Sequence, residues 1–258
     1  KIVLARDPNG KAFLGGFTGQ GDIPVDNLSG DHSYGSYLVF RKLEQNVKGW
    51  NDAVIKVTNK ISENGSKVDP HLVGAYAVGR FQDGTPVTLS NKQIDNQTND
   101  FNFSQDKNAT KCPFHAHIRK SNPRGESPGG INFDKDVRIT RRAIPYGERE
   151  ENFSDKPTKG VGLLFMCYQS NIKSQFEFMQ NKWVDDENFN EDKTGVDSVI
   201  GQPSEGKEPI NPKWPLEYGG DKSNQKELEF GNFVTFKGGN YFFTPSKSFL
   251  QSIAVNPV

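Results

Sequence analysis

The chain has 258 residues, enough to bury a sizeable core in one large domain or two small ones. Its 32 Lys and Arg residues balance 32 Asp and Glu residues, so its charge gives no footprint for nucleic acid or an anionic membrane. No apolar run approaches the roughly 20 residues that a membrane helix needs, which predicts a soluble protein whose compartment, cytoplasmic or secreted, stays open. Cys112 and Cys167 are too few for a disulfide scaffold, and their apolar neighbours predict free buried thiols.

The first part of the chain divides into an arm and the start of a folded domain. Residues 1–34 mix Gly, Asp, Pro and Asn with short apolar patches, which predicts an N-terminal arm with loops. The domain is expected to run from 35 to 258. Its β-branched and aromatic run 36–43 predicts a first strand, and the apolar positions of 46–61 recur at the spacing of a helix.

The middle of the chain predicts a loop and two further strands. A short apolar helix or turn is expected at 72–80, followed by a long polar surface loop at 88–111. The alternating segment 137–144 predicts a second strand. The continuous apolar run 162–168 predicts a third strand covered on both faces, with 154–160 as the hairpin connection between the two.

The last part supplies a second helix and a terminal hairpin. Apolar residues in 172–183 recur at helical spacing, and 233–243 is expected to form a hairpin that turns at Gly238 and Gly239. The predicted order is strand, helix, strand, strand, helix, strand. That order indicates an α+β fold, a ferredoxin-like unit with an antiparallel sheet and long loops.

The segment 111–124 is the strongest candidate for a functional site. It contains two of the four histidines, and its prolines favour a shaped loop over a plain helix or strand. His117 is the candidate ligand, whereas His115 is expected to point to the opposite side. A zinc site built from Cys112, His115 and His117 is an alternative, although no second cluster of metal ligands accompanies it. The strand at 137–144 brings arginines, among them Arg141, toward the same place.

These motifs, taken in order, resemble those of the dye-decolorizing peroxidases. The resemblance rests on Ala-His-Ile-Arg-Lys at 116–120, Asn-Pro-Arg at 122–124, Arg141 four residues before Pro-Tyr-Gly at 145–147, the run 162–169, and the flanking segments 35–43 and 239–246. It spans nearly the whole chain. It implies a ferredoxin-like fold, normally one of two such units in a dimeric α+β barrel, with haem b (iron protoporphyrin IX) in the second unit.

The resemblance also assigns expected roles near the iron. His117 would be the axial ligand of the haem iron, and Asp197 would hold the outer nitrogen of its ring. Asp197 lies in a segment similar to the family's Gly-X-Asp-Pro, with Ser198 in place of proline. Arg141 would be the distal arginine, which stabilises charge as peroxide is cleaved. Arg138 and Arg142 are either exposed or paired with the haem propionates.

Five other residues complete the expected haem pocket. Leu163 and Phe165 would wall its distal side and keep it dry, although both would equally serve as ordinary core. Arg119, Asn122 and Arg124 would contact the haem propionates, although basic residues after a turn are often simply exposed. The expected substrates are hydrogen peroxide and aromatic reductants, namely bulky dyes and phenols.

One family motif is not found in this sequence. The Gly-X-X-Asp-Gly signature, which carries the usual distal acid/base, should precede the first strand. Residues 79–84 look similar but contain one residue too many, so Asp83 is expected to be a turn residue. We therefore expect a haem-bearing C-terminal part whose peroxidase activity needs an N-terminal fragment of the same protein. A haem carrier or sensor with little turnover and a haem-free assembly half stay open, as does a homo-oligomer.

Overall fold

In the computed structural model, the described residues are 35–63, 65, 67–148, 156–203, 205–206, 208–245, 250–251 and 253. The predicted arm 1–34 and the first residues of the predicted connection 154–160 lie outside them, so the domain boundary at residue 35 stays a prediction. Within this part of the chain, no helix combines the length and apolar character needed to cross a membrane.

The domain is organised around one antiparallel sheet. Its strands are β1 (Ser36–Gln45), β2 (Thr140–Arg141), β3 (Ile144–Tyr146), β4 (Gly162–Gln169) and β7 (Val234–Thr244). The strand order is β2-β4-β1-β7, and β3 pairs with β4 beside β2. When β2 and β3 are counted as two halves of one strand, the sheet has the second, third, first and fourth strands in that order. This arrangement confirms the predicted α+β ferredoxin-like unit with an antiparallel sheet.

The helices connect these strands and carry the candidate site. They are α1 (Val47–Ser62), α2 (Pro70–Val78), α3 (His117–Ser121) and α4 (Gly130–Val137), followed by two π-helical segments, π1 (Ile172–Glu177) and π2 (Gln180–Val184). A small second sheet pairs β5 (Lys213–Pro215) with β6 (Gln225–Glu227). Side-chain caps fix two helix starts: Asn46 accepts from the N–H of Gly49 at 2.8 Å, and Asp69 accepts from that of His71 at 2.9 Å.

The predicted strand 137–144 is partly wrong. Val137 ends α4, so strand pairing begins only at Thr140 and is interrupted between Arg141 and Ile144. Helix α4 escaped prediction because it starts at a glycine, has no side-chain cap and is stabilised by tertiary contacts. Among these, the buried carboxylate of Asp134 accepts from the backbone N–H of Gly125 and from the hydroxyl of Ser127.

The predicted terminal hairpin is wrong. Strand β7 continues through Gly238 and Gly239 and pairs with β1 along its whole length. The pairing register shifts beside Gly238, whose φ is 134°, so a bulge occupies the place where a turn was expected. A Cβ at Gly239 would lie 2.3 Å from the carbonyl oxygen of Phe40, so the glycine permits the close approach of the two strands.

The two faces of the sheet differ. Val39 and Cys167 lie on the inner face, where they are fully buried against Phe176 and the rest of π1 and π2. On the outer face, Ile144 and Phe242 are 55% and 47% exposed. On β4 itself, the outer-face side chains Leu164 and Met166 are half-buried, so the expectation that this strand is covered on both faces is met only in part. The predicted loop 88–111 contains no helix or strand, as expected, and both cysteines are buried and free.

Candidate functional site

His117 and Asp197 form the centre of the candidate site. His117 is the first residue of α3, and its Nδ1 lies 2.8 Å from Oδ2 of Asp197. The Asp197 side chain is fully buried, and its other oxygen accepts from the backbone N–H groups of Val199 at 2.8 Å and Ile200 at 2.9 Å. The His117 side chain is 27% exposed. Because Nδ1 is held by the carboxylate, Nε2 is the ring nitrogen left for a ligand.

The charges of this pair support each other. Burial alone would raise the pKa of Asp197, but the His117 charge, its hydrogen bond and two backbone N–H groups lower that pKa overall. Burial alone would lower the pKa of His117, whereas the Asp197 charge and hydrogen bond raise it overall; the charge of Arg141 opposes that rise. Arg141 is therefore close enough to His117 to influence it electrostatically.

The turn that carries Asp197 is closely packed. Its ends are joined by a bond from the Gly201 N–H to the Asp197 carbonyl at 3.0 Å, and the Asp197 N–H donates to the Val184 carbonyl at 2.9 Å. A Cβ at Gly201 would lie 2.6 Å from both the backbone N and O of Asp197. Glycine at 201 therefore lets the turn close on itself and fixes the carboxylate relative to π2.

The expectation that His115 points away from the site is wrong. Only Ala116 between the two histidines is extended, with φ −61° and ψ 131°, and both imidazoles reach the turn at 197–198. His115 is buried, its Nδ1 lies 2.6 Å from the hydroxyl of Ser198, and its ring centroid is 4.6 Å from that of Trp214. Burial lowers the pKa of His115 to about 3, so the ring is neutral at pH 7. This contact could not be predicted from the sequence, in which Ser198 stands out only as a departure from a motif.

The zinc alternative has no support in the described part of the chain. Cys112 is fully buried, and burial raises the pKa of its thiol to about 12, which disfavours the thiolate that binds metals. No group of three or more His, Cys, Asp or Glu side chains among the described residues could hold a metal ion.

Arg141 lies on the inner face of the sheet. It is exposed and pairs with Cys167 across β2 and β4, and cross-strand partners project to the same face. By the alternation of β4, Leu163 and Phe165 share that face with Cys167. Both are partly buried, and the Phe165 ring centroid lies 6.2 Å from that of Phe176. The structure thus brings Arg141, Leu163 and Phe165 to one face of the sheet, and of these three the charge of Arg141 acts on His117.

The expectation that Arg119 contacts a haem propionate is not supported. Its side chain is 0% exposed, and all three guanidinium nitrogens already have partners. Nε donates to Glu126 at 2.8 Å, Nη1 to the Asp106 carboxylate at 3.0 Å and Nη2 to the Asp106 carbonyl at 2.8 Å. The rings of Phe103 and Phe114 lie at 4.6 and 4.5 Å from the guanidinium carbon. Arg119 anchors the loop before α3 and has no free donor for a ligand.

Asn122 and Arg124 differ from Arg119 because each keeps an unpaired polar atom. The Oδ1 of Asn122 and the Nε of Arg124 are buried without a partner among the described residues. Arg124 Nη1 donates to the carbonyls of Asn99 at 2.8 Å and Phe101 at 3.1 Å. Burial, and then the charges of two neighbouring arginines, lower the pKa of Arg124 to about 10. An anion bound beside this residue would relieve that repulsion.

Asp83 is a turn residue, as expected. Its carboxylate accepts from the backbone N–H groups of Thr85 at 2.9 Å and Asp95 at 2.8 Å, which ties two loop segments together.

Comparisons with known proteins identify the family. The family described as "Dyp-type peroxidase, C-terminal" matches residues 22–195 of the chain. A multifunctional dye peroxidase, DyP2, from an Amycolatopsis species is 39% identical over 235 residues, which cover 85% of this chain and 49% of that protein. The chain belongs to the dye-decolorizing peroxidase family. A dye-decolorizing peroxidase from Mycetinis scorodonius is 40% identical over 85% of this chain and 46% of its own length.

Solved structures of dye-decolorizing peroxidases agree with the fold. A DyP-type peroxidase from an Anabaena species superposes with a TM-score of 0.76 at 47% identity, over 86% of this chain and 46% of that one. A dye-decolorizing peroxidase in complex with 2,6-dimethoxyphenol gives a TM-score of 0.69 at 29% identity, over 84% and 51% of the two chains. The chain thus spans about half the length of the relatives that it matches.

Proposed function

We propose that this chain is the haem-bearing part of a peroxidase that reduces hydrogen peroxide and oxidises bulky aromatic dyes and phenols. The observation that carries the proposal is the pair of His117 and the buried Asp197, with Arg141 within electrostatic reach. Family membership and this geometry point to the same chemistry, because a single imidazole with a carboxylate behind it is a typical axial ligand of haem iron.

The residues on the His117 side fit haem b. His117 would bind the iron through Nε2, since Nδ1 is held by Asp197 at 2.8 Å. The carboxylate fixes the tautomer and the orientation of the ring and makes it a stronger electron donor. When bound, haem supplies the iron at which the oxygen–oxygen bond of peroxide is cleaved.

Arg141, Leu163 and Phe165 would form the opposite wall. The guanidinium group of Arg141 would stabilise the negative charge on the departing peroxide oxygen. Leu163 and Phe165 would exclude water from this side, which strengthens the electrostatic effect of the arginine. Asn122 and Arg124 would receive the haem propionates, since both keep a buried polar atom without a partner among the described residues.

Peroxidase turnover would also need an N-terminal part that supplies the acid/base residue. Two observations support this partner. The relatives are about twice as long as the matched region, and no ion pair joins Arg141 to a carboxylate within the described residues. The exposed apolar side chains on the outer face of the sheet, such as Phe242, offer a surface on which such a part would pack.

Haem titration of the purified chain tests the cofactor assignment. We expect stoichiometric haem to produce a Soret band that is lost in His117→Ala. The matched control is His71→Ala, which removes an exposed histidine from the start of α2 and should keep the band. Equal haem spectra for the unaltered chain and His117→Ala would remove His117 as the ligand.

Peroxide-dependent oxidation of an anthraquinone dye tests the activity. We expect slow turnover by the chain alone and a gain of about a hundredfold or more when the N-terminal half of the Anabaena relative is added as a separate chain. Arg141→Leu should lower the faster rate by about 100- to 1,000-fold, whereas Arg142→Leu, at an exposed neighbouring site, should not. A normal Soret band with no dye oxidation under any of these conditions would favour a haem carrier or sensor.

A further inference from the structure

Two histidines that flank Ala116 attach to two consecutive residues of one turn. His117 Nδ1 is 2.8 Å from the Asp197 carboxylate, and His115 Nδ1 is 2.6 Å from the Ser198 hydroxyl. A backbone bond joins the same segments, because the Ser198 N–H donates to the His115 carbonyl at 3.1 Å. Three bonds therefore connect the histidine segment to a turn about 80 residues away in sequence.

The His115 contact lies in the best-buried part of the site. His115 is 1% exposed, Ser198 is 2% exposed, and Trp214, against which the His115 ring packs, is 0% exposed. The Trp214 indole is itself fixed, since its N–H donates to the Leu228 carbonyl at 3.1 Å. A hydrogen bond held between rigid, buried groups fixes the positions of its two partners more closely than an exposed one.

We propose that His115 and Ser198 are positioning residues that hold the Asp197 carboxylate in line with Nδ1 of His117. The proposal rests on the proposed function only in taking His117 as the iron ligand. The three hydrogen bonds between the histidine segment and the turn at 197–198 are a feature of the haem-free chain. Because Asp197 and Ser198 are adjacent, a shift of the Ser198 backbone moves Asp197 as well. Its carboxylate accepts from the two N–H groups that follow Ser198, so the whole turn would move as a unit.

Substitutions at Ser198 separate the two bonds that it makes. Ser198→Ala removes the hydroxyl bond to His115 and keeps the backbone bond, whereas Ser198→Pro removes both because proline has no N–H. Ser198→Thr keeps both groups and is the conservative rescue. Ser170→Ala is the matched control, since the Ser170 side chain is equally buried and its hydroxyl donates to Gln175 at 3.1 Å, in another part of the fold.

The test is proton and nitrogen NMR of the imidazole N–H of His117 in the haem-free protein. We expect its downfield Nδ1–H resonance to move upfield and to exchange several-fold faster with water in Ser198→Ala, and more so in Ser198→Pro. Ser198→Thr and Ser170→Ala should leave it near its original position. If Ser198→Ala lowers stability as much as Ser170→Ala does but leaves the His117 resonance unchanged, the role of Ser198 is structural only and the proposal fails.

A second readout uses the haem-loaded protein. A weaker bond to Asp197 makes the imidazole a poorer donor, so the reduction potential of the iron should rise in Ser198→Ala and return in Ser198→Thr. An unchanged potential in Ser198→Ala would contradict the proposal. If the unaltered chain binds no haem, the proposed function fails. The NMR result still decides whether His115 and Ser198 hold the Asp197 carboxylate in place.

Discussion

The two sides of the proposed site are built differently. On the His117 side, the side chains of Asp197 and Arg119 are fully buried. All of their oxygen and nitrogen atoms have hydrogen-bond partners. On the sheet side, Arg141 is exposed, belongs to a strand of two residues and has no ion pair among the described residues. The chain therefore organises the His117 side of the site by itself. On the sheet side, no ion pair within the described residues holds the Arg141 side chain in place.

The difference has an energetic consequence. A buried charge is costly when it loses its partner, so removing one partner on the His117 side leaves an unpaired charge in a dry environment. An exposed arginine is solvated and contributes little to folding. Substitutions on the two sides should thus separate stability from chemistry, in a graded series.

The largest effect is expected for Arg119→Leu. It leaves Asp106, which is 4% exposed, without its guanidinium partner and should lower the free energy of unfolding by about 3–5 kcal/mol. Urea denaturation followed by circular dichroism measures it. Since the whole stability of a domain is about 5–15 kcal/mol, a low-temperature assay is needed. A loss below about 1 kcal/mol would mean that Arg119 is not the anchor of this region.

Lys120 provides a pH-dependent test of the same side. It is fully buried, Nζ donates to the carbonyls of Trp183 and Asp186, and burial lowers its pKa to about 8 against nearby carboxylates that raise it. Between pH 8 and the unfolded pKa of about 10.4, the unfolded chain binds the proton that the folded chain has lost, so this residue increases stability as pH rises. At lower pH Lys120 is protonated in both the folded and the unfolded state, so the full cost of burying its charged ammonium group remains.

The measurement compares the chain with Lys120→Met at several pH values. The difference in unfolding free energy should shift in favour of lysine by about 3 kcal/mol between pH 7.5 and 10.5, because one pKa unit is worth 1.36 kcal/mol. Other groups that titrate in this range cancel in the comparison. A pH-independent difference would show that Lys120 is solvated in the folded protein.

Gly201→Ala should have an intermediate effect. The new Cβ would meet the Asp197 backbone at 2.6 Å, and backbone cannot move aside cheaply, so we expect a loss of about 1–3 kcal/mol. Gly74→Ala is the control: nothing lies within 4 Å of its Cβ position inside α2, and the change should stabilise that helix by up to about 1 kcal/mol. Thermal melts of both variants measure the two effects. Equal shifts in melting temperature would mean that the turn at 197–201 is loosely packed.

The sequence was sufficient for the fold class but less so for the roles of its arginines. A β-branched and aromatic run located β1, a continuous apolar run located β4, and the spacing of apolar residues located α1. The glycine pair in β7 misled the prediction because a bulge and a hairpin turn use the same local signal, and only pairing with β1 distinguishes them.

The roles of Arg119 and Arg141 illustrate what tertiary contacts add. Both are arginines in matched motifs, and nothing local distinguishes them. Asp106, thirteen residues before Arg119, and Glu126, seven residues after it, make Arg119 a buried structural residue. Asp197 could be named from a motif, but its Ser198 neighbour could be linked to His115 only when the fold brought them together.

Arg141→Leu should have the smallest effect on stability, within about 0.5 kcal/mol, because the side chain is exposed. The substitution should still change the pKa of His117. The charge of Arg141 lowers the pKa of His117, so its removal should raise that pKa further in the haem-free protein, as followed by an NMR titration of the His117 ring. Arg142→Leu serves as the control and should leave the titration nearly unchanged. If the two variants shift the pKa of His117 equally, or neither variant shifts it, then Arg141 and His117 do not face a common space. The His117 side and the sheet side would then not belong to one site.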